Sequence, residues 1–508
     1  MKKISYVFVL IFSALLLFNC GGKSSEKSGN AVEANISNTG EKQDGGRKRR
    51  GCDLDQEEFK KTEIFAVLDR SSDKNELPAA VSLVKYAPKP SSQGSQGSCT
   101  SWACNYAART ILESVATGKD PNANPFSPAY LYNQITKGNC TGTNIGVALD
   151  KMKVVGGIGL KEFPYTDQDC SKQPDAQMKQ VAQANKIVGY NRLTFDDSKG
   201  EKKAGKVDII AMKQNLAKGA PIVIGILVGG TFGKVDKEGF WKPTQKDIQT
   251  MKTQQDGHKV DDDEDDSFGG HAMCIVAYDD KKGGGAFQIM NSWGSDWADK
   301  GFFWMTYKDF ELFSNEYYSE VYGLDPLPSK KSSNIDFSAS VGLLDNKTKS
   351  YLGLQKKAGY VFATKGVQKA GTKFKIEFTN STACYTYVFG QETDGTSYVL
   401  FPYTEKHSPY CGITGTRVFP KDFSMQLDNV GTKDVFVVVL SKEKLDFNAL
   451  NEKISSGSGD YESKVKAALG NKLIPVGNIK AKGGDAPSFD ISTSSQTAFP
   501  IVIEVAKK

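Results

Sequence analysis

Three short stretches of this 508-residue chain hold the residue types that amide cleavage by a thiol requires. The first is Gln93-Gly94-Ser95-Gln96-Gly97-Ser98-Cys99-Thr100-Ser101-Trp102-Ala103, the second Gly269-Gly270-His271-Ala272, the third Asn291-Ser292-Trp293-Gly294. A thiol attacks a carbonyl as thiolate, so its pKa must fall well below the free value of about 8.5. Cys99 opens a run of helical period behind a loop of small residues, where the positive end of the helix dipole lowers a thiol pKa. His271 supplies the rest, by forming a thiolate–imidazolium pair and later protonating the leaving amine. Asn291 can hold the imidazole in one tautomer by accepting a hydrogen bond from a ring nitrogen. The backbone N–H of Cys99 and the side-chain amide of Gln93 are candidate donors to the oxyanion. Trp293 can roof the His–Asn bond and keep water from it. The set calls for no cofactor and no metal.

Taken singly, each residue is ordinary. A lone cysteine is usually a buried hydrophobe, and His258 and His407 read as surface or core residues. The constellation is what is specific. A Gln six residues before the Cys, His-Ala opening a strand, and Asn-Ser-Trp-Gly opening the next segment resemble the papain family of cysteine peptidases. Gln-Gly-Ser-Gln-Gly-Ser-Cys is similar to the bacterial branch of that family. Leu77-Pro78, Ser127-Pro128 and Phe163-Pro164-Tyr165 fall where the family has comparable segments. The resemblance implies an α+β, two-lobed papain-like domain over roughly 77–325, with the cleft between a helical half and a β half. It implies Cys99 as nucleophile, His271 as general base and acid, Asn291 as the orienting residue and Gln93 as the oxyanion donor. Cys170, just after Phe-Pro-Tyr, matches a family disulfide cysteine, which favours Cys140 as its partner.

The departures are equally readable. The papain signature carries Cys-Gly-[Ser/Ala]-Cys-[Trp/Tyr] around the nucleophile; here Gln96 replaces the first Cys and Thr100 follows the second, so one family disulfide is absent. His271 lies 172 residues beyond Cys99, a longer spacing than the family pattern, and an insertion over 231–268 accounts for the excess. Segment 51–76 is too short to build a long helical propeptide, which puts inhibition by a typical prosegment in doubt. A register with Gln96 as oxyanion donor would put Trp102 at the nucleophile and give a dead enzyme; the Gln93 register puts a cysteine there. Cys104 lies a turn inside the helix and does not fit.

The elements that must position these residues follow from periodicity. Trp102, Ala103, Tyr106, Ala107 and Ile111 share one helical face after Cys99. Ser127-Pro128 opens a second helix, with Pro at an early position, and Gly146 to Val155 suggests a third. Pro221 to Leu227, His271 to Tyr278 and Ala286 to Met290 read as short buried strands. Helices first and strands later indicate an α+β domain. The insertion ends in Asp261-Asp262-Asp263-Glu264-Asp265-Asp266, but an EF-hand loop counted from Asp261 would need Glu at Ala272, so a solvated acidic loop is expected. Asp325-Pro326-Leu327-Pro328 reads as a linker. Beyond it, over 335–508, runs at Lys373–Phe378, Tyr385–Phe389, Tyr398–Phe401, Val435–Leu440 and Pro500–Val505 predict an all-β sandwich domain. It resembles a β-sandwich module of unknown function that trails some bacterial peptidases; a surface partner for it is suggested by architecture alone.

The N-terminus predicts export. Lys2 and Lys3 precede an apolar run from Ile4 to Phe18 that is shorter than the roughly 20 residues of a membrane span, so residues 1–20 read as a signal peptide. Cys20 closing the run resembles a bacterial lipobox, which implies lipidation at Cys20 and anchoring in the cell envelope, as in the outer membrane of a diderm bacterium. Residues 21–76 read as a flexible tether and short pro-like segment; in its first part, to about 50, Gly, Ser, Lys, Glu and Asn dominate. The Arg47–Arg50 cluster that ends that part could be a processing site, but a solvated charge run is the preferred reading. An oxidising compartment permits disulfides. Of nine cysteines, Cys20 and Cys99 are assigned; Cys140 with Cys170 and Cys384 with Cys411 are the expected pairs, and Cys104 and Cys274 the expected buried thiols. A formal charge of +6 argues against nucleic-acid binding.

Three functions therefore compete: hydrolysis of a peptide or protein substrate through an acyl-thioenzyme, a catalytically idle binding or adhesion lipoprotein, and transpeptidation by interception of the same acyl intermediate with an amine.

Overall fold

The computed structural model describes residues 50–69, 75–197, 205–255, 267–316, 319–328, 336–492 and 495–508. Cys20, the signal peptide, most of the tether, His258 and the acidic run 261–266 lie outside the described residues.

The helical half is organised by one long helix that begins at Cys99. It runs through Cys99–Ser101, a wider π-helical stretch Trp102–Arg109, and Thr110–Thr117, and stops at Gly118, whose φ of 73° is the left-handed conformation a helix C-terminus favours. Trp102 and every other residue of the π-helical stretch are buried. The helix Pro128–Thr136 begins where the Ser-Pro pair predicts, with Ser127 Oγ accepting from Tyr130 N and Pro at the first position. Asn144 caps Ile145–Val155 in the same way, through Val147 N.

The β half is one antiparallel sheet in the order Tyr190–Arg192, Glu320–Leu324, Ile222–Val228, Gly269–Asp279, Ala286–Met290, Phe302–Thr306, with Ala80–Ser82 paired to Gly269–Asp279. Register places Ile226 opposite His271 and Gly225 opposite Ala272. Part of the 231–268 insertion packs inward: Phe232 and Trp241 are buried, edge to face at 4.8 Å, and Asp247 ties the ends by accepting from Thr231 N and Thr244 N.

The C-terminal domain is two facing sheets. One runs Ser397–Phe401, Cys384–Gln391, Lys433–Ser441, Ala498–Ala506, Val361–Thr364, Leu354–Ala358; the other Gly415–Phe419, Lys373–Asn380, Phe337–Asp345, Ser488–Ile491, Ile479–Lys482. It is not all-β. Helices Phe447–Ser456 and Tyr461–Leu469 cover the outer face of the first sheet, burying Leu450, Ile454, Val465 and Leu469 against Tyr387, Phe389, Val437 and Val439. That third layer explains why Val435–Leu440 is apolar throughout. Phe436, Val438 and Leu440 face the sandwich core while Val435, Val437 and Val439 face the helices, so neither side meets water.

Cys140 and Cys170 are disulfide-bonded. The expected bond between Cys384 and Cys411 is corrected: the two are opposite each other on adjacent strands, yet both are free thiols. Each sulfur turns along its own strand, Cys384 Sγ to Thr386 Oγ1 and Cys411 Sγ to Pro409 O, instead of across the ladder. Cys104 and Cys274 are buried and free, as expected.

Within the stretch read as tether and pro-like segment, residues 50–69 are woven into the fold. The helix Gln56–Lys61 is capped by Asp55, which accepts from Glu57 N and Glu58 N, and Phe59, Phe65 and Leu68 join the core of the two-lobed domain.

Candidate active site

Cys99 is the first residue of its helix, so its sulfur sits where unpaired helix N–H groups point outward. The sulfur lies 3.5 Å from the backbone N of Ala272, the residue after His271, across the boundary between the two halves. His271 Nε2 and Asn291 Oδ1 are 2.7 Å apart. Because Asn291 Oδ1 also accepts from Ser292 N at 2.8 Å, it acts as acceptor, which assigns the proton to Nε2. His271 Nδ1 then carries a lone pair; it is buried and has no hydrogen-bond partner among the described residues. The Trp293 ring lies over the imidazole, centroids 4.9 Å apart at 32°.

The loop before Cys99 is latched from three sides. Gln93 N donates to Ser292 O at 2.9 Å, Ser292 Oγ donates to Gln93 Oε1 at 2.7 Å, and Tyr165 OH donates to Gln93 O at 2.7 Å. Tyr165 comes from the Phe-Pro-Tyr segment, so that motif braces the oxyanion loop. Gln93 Nε2 gives one proton to Gln96 O at 2.8 Å and keeps a second for an incoming oxyanion. The four residues singled out for chemistry thus converge on one place, and Trp293 with them. Trp102, the nucleophile of the rejected register, packs instead against Tyr106 and Tyr165. Among the described residues, no group of three His, Cys, Asp or Glu stands together as metal ligands.

Sequence reasoning missed what fills the cleft. Gly51 N and Cys52 N donate to Gly270 O at 3.2 and 3.1 Å; on the other wall, Thr143 N donates to Gly51 O at 2.9 Å and Asp53 N to Thr143 O at 3.1 Å. Residues 50–54 therefore form a strap bonded to both halves of the domain. Its passage needs two glycines. A Cβ on Gly51 would come within 2.3 Å of Gly97 O, and one on Gly270 within 2.1 Å of Cys52 O. Arg50 anchors one end, its Nη1 donating to Val228 O at 2.8 Å and Ser267 O at 2.6 Å. At the other, Asp55 N donates to the buried carboxylate of Glu320 at 2.7 Å.

Under the strap, Cys99 and His271 are both 0% exposed. Burial pushes the Cys99 thiol up to about 11, against opposing N–H groups of Ala272, Gly51 and Thr100. Burial also pushes His271 down to about 4; the Asn291 bond works against this and the Arg50 charge works with it. Both shifts favour the uncharged forms. In this state the site holds a thiol beside a neutral imidazole.

A family profile described as "Papain family cysteine protease" matches residues 80–319, and one described as "Domain of unknown function (DUF4384)" matches residues 367–444. The chain is 28% identical over 241 residues to an uncharacterized peptidase C1-like protein of Acanthamoeba polyphaga mimivirus, covering 46% of this chain and 66% of that one. It is 26% identical over 219 residues to cathepsin K of Mus musculus, covering 43% and 55%. The chain thus spans about half to two thirds of the length of the curated relatives it matches. Among solved structures, xylellain, a cysteine protease from Xylella fastidiosa, is 23% identical, covers 56% of this chain and 99% of its own, and has a TM-score of 0.41.

Proposed function

Residues 80–319 being a papain-family cysteine protease domain, we propose that the chain is a cysteine peptidase, cleaving peptide or protein substrates through an acyl-thioenzyme and held closed here by its own residues 50–54. The observation that carries this reading is the Cys99–His271–Asn291 arrangement, with Cys99 Sγ against the backbone N of the residue after His271 and an unpartnered Nδ1 on an imidazole whose tautomer Asn291 fixes. In this reading His271 Nδ1 takes the thiol proton, Gln93 Nε2 and Cys99 N receive the oxyanion, and the imidazolium protonates the leaving amine. Water attacking the thioester completes hydrolysis. Displacing the strap readmits water and removes Arg50 from the imidazole, which reverses the two shifts that keep the pair neutral.

The test is treatment of the full chain with an epoxysuccinyl cysteine-peptidase inhibitor, followed by mapping of the adduct by mass spectrometry. An adduct on Cys99 that is lost in His271→Ala supports the peptidase. A folded chain that gives no adduct even when the strap is displaced by Gly51→Ala refutes it and favours the binding reading.

We further infer export and lipid anchoring at Cys20, supported by the Lys2-Lys3 pair, the apolar run Ile4–Phe18 and the cysteine that closes it. Metabolic labelling with a fatty-acid analogue, lost in Cys20→Ala, is the check.

A further inference from the structure

The strap does not end at the cleft. Beyond the helix Gln56–Lys61 the chain continues as an extended run, residues 62–69, whose backbone is used on both edges. Toward the peptidase domain, Phe65 N donates to Arg192 O at 3.2 Å, Arg192 N to Glu63 O at 3.0 Å and Leu68 N to Gln214 Oε1 at 3.1 Å. Toward the C-terminal domain, Ile64 N donates to Lys406 O at 2.6 Å and Ile64 O accepts from Ser408 N at 3.0 Å. Ala66 O accepts from Arg417 Nε at 2.8 Å and Asp69 N donates to Thr416 O at 2.8 Å.

Consecutive backbone groups thus face alternate domains, as in a central strand. The side chains divide likewise: Phe65 and Leu68 belong to the peptidase core, and Ala66 to the core of the sandwich. Arg417 is buried and spans Ala66 O, Asn380 Oδ1 and Ile413 O, so the seat for the run is built from the interior of the C-terminal domain. Asn75 closes the far end, donating to both Asp69 O and Thr416 O.

We propose that the C-terminal domain is the holder of the occluding segment: by pairing with Ile64, Ala66 and Asp69 it fixes the far end of the strap and thereby keeps residues 50–54 in the cleft. This gives the domain of unknown function a role in regulating the peptidase site, and it rests on the peptidase reading above. The physical reason is effective concentration. Four backbone bonds make a weak ligand if the segment is free in solution. Seated a short helix away from its docking point, the same segment competes at an effective concentration on the order of millimolar. Loosening the seat lowers that concentration without touching the cleft.

The experiment compares full-length chains. Ile64→Pro removes one N–H on the C-terminal edge at a buried residue that belongs to neither domain's core cluster. Arg417→Lys, which keeps the charge but cannot span three acceptors, is the second variant should the first fold poorly. Two readouts are taken, the rate of Cys99 alkylation by an epoxysuccinyl inhibitor and hydrogen exchange of residues 50–54 and 62–69. The proposal expects alkylation at least about ten-fold faster than wild type, with exchange rising in both segments together. It is overturned if 62–69 exchange freely while 50–54 stay protected and Cys99 reacts at the wild-type rate. Gly51→Ala, which acts inside the cleft, separates this from failure of the peptidase reading: if that variant also leaves Cys99 unreactive, the nucleophile assignment has failed rather than the holder.

Discussion

Gly51→Ala is the smallest change that evicts the strap, and its effect can be worked from distances. The Gly51 backbone lies outside the positive-φ region, so alanine costs nothing in local conformation. The added Cβ would stand 2.3 Å from Gly97 O and 2.5 Å from Gly97 C and Cα, where real Cβ atoms do not come nearer than about 3.0 Å. These are backbone atoms of the loop that sets Cys99, so the strap must retreat, by about 0.7 Å or more. Bonds of 2.9 to 3.2 Å at Gly51 N, Cys52 N and Thr143 N would then lie beyond hydrogen-bonding distance. At ~1 kcal/mol net for each, closure weakens by ~3 kcal/mol, or about a hundred-fold in the ratio of open to closed cleft. The assay is the second-order rate of Cys99 alkylation in full-length wild type and variant at pH 7, with thermal unfolding to show that both are folded. A rise of roughly two orders of magnitude is expected, by the same arithmetic. Equal rates, whether both fast or both slow, would refute the claim that residues 50–54 control access to the sulfur.

Two further outcomes follow from the same geometry. With the thiol removed by Cys99→Ser, so that the imidazole titrates alone, acid should open the cleft: His271 is held near 4 under the strap against an ordinary 6.5, so the closed form binds fewer protons than an open one. Closure is then strongest above pH 6.5 and is lost as the pH falls toward 4; at pH 5 it is weaker by ~2 kcal/mol, about thirty-fold. Exchange protection of the Gly51 and Cys52 amides, corrected for intrinsic rates, should fall accordingly in Cys99→Ser and stay flat in Cys99→Ser combined with His271→Gln. The Cys140–Cys170 bond closes a loop with a sequence separation of 30 that carries Thr143, the strap's partner on one wall. The double substitution to Ser should lower unfolding free energy in urea by up to ~3.6 kcal/mol, the loop-entropy value for that length, and an unchanged midpoint would contradict it.

What was legible in the sequence and what was not divide along a physical line. In the proposed reaction Cys99, His271, Asn291 and Gln93 act through their side chains, and a reaction that needs a thiol, an imidazole and two amides constrains residue type at each place. The strap acts through its main chain. Pairing Gly51 N with Gly270 O demands no particular side chain, only the lack of a Cβ at Gly51 and Gly270, and glycine is too common to announce that. One trace was available: Phe59, Ile64, Phe65 and Leu68 make residues 51–69 too apolar for a solvated tether. The two helices over the sandwich were missed for another reason. Phe447, Leu450 and Ile454 recur at helical spacing, yet strands flank them on both sides and dominate the local pattern. The Cys384–Cys411 expectation rested on nearness, and nearness held; the sulfurs turn along their strands, which spacing cannot reveal.

There remains the question of why such an enzyme does not cut the peptide lying in its own cleft. Attack requires a carbonyl carbon over the sulfur, with its oxygen turned toward Gln93 Nε2 and Cys99 N. The Gly51 carbonyl meets neither condition. Gly51 N donates to Gly270 O and lies near enough to the sulfur to oppose the rise in its pKa, and the Gly51 carbonyl is turned away to accept from Thr143 N on the opposite wall. Cys52 bridges Thr143 in parallel register, which fixes the direction in which the strap runs along that wall. An N–H in that place stabilises a thiolate without giving it anything to attack. Occlusion of this kind is therefore reversible by displacement alone. The Gly51–Cys52 bond is held out of position by its carbonyl's bond to Thr143 N, and the neutral thiol–imidazole pair beneath the strap needs only water, and the departure of Arg50, to ionise.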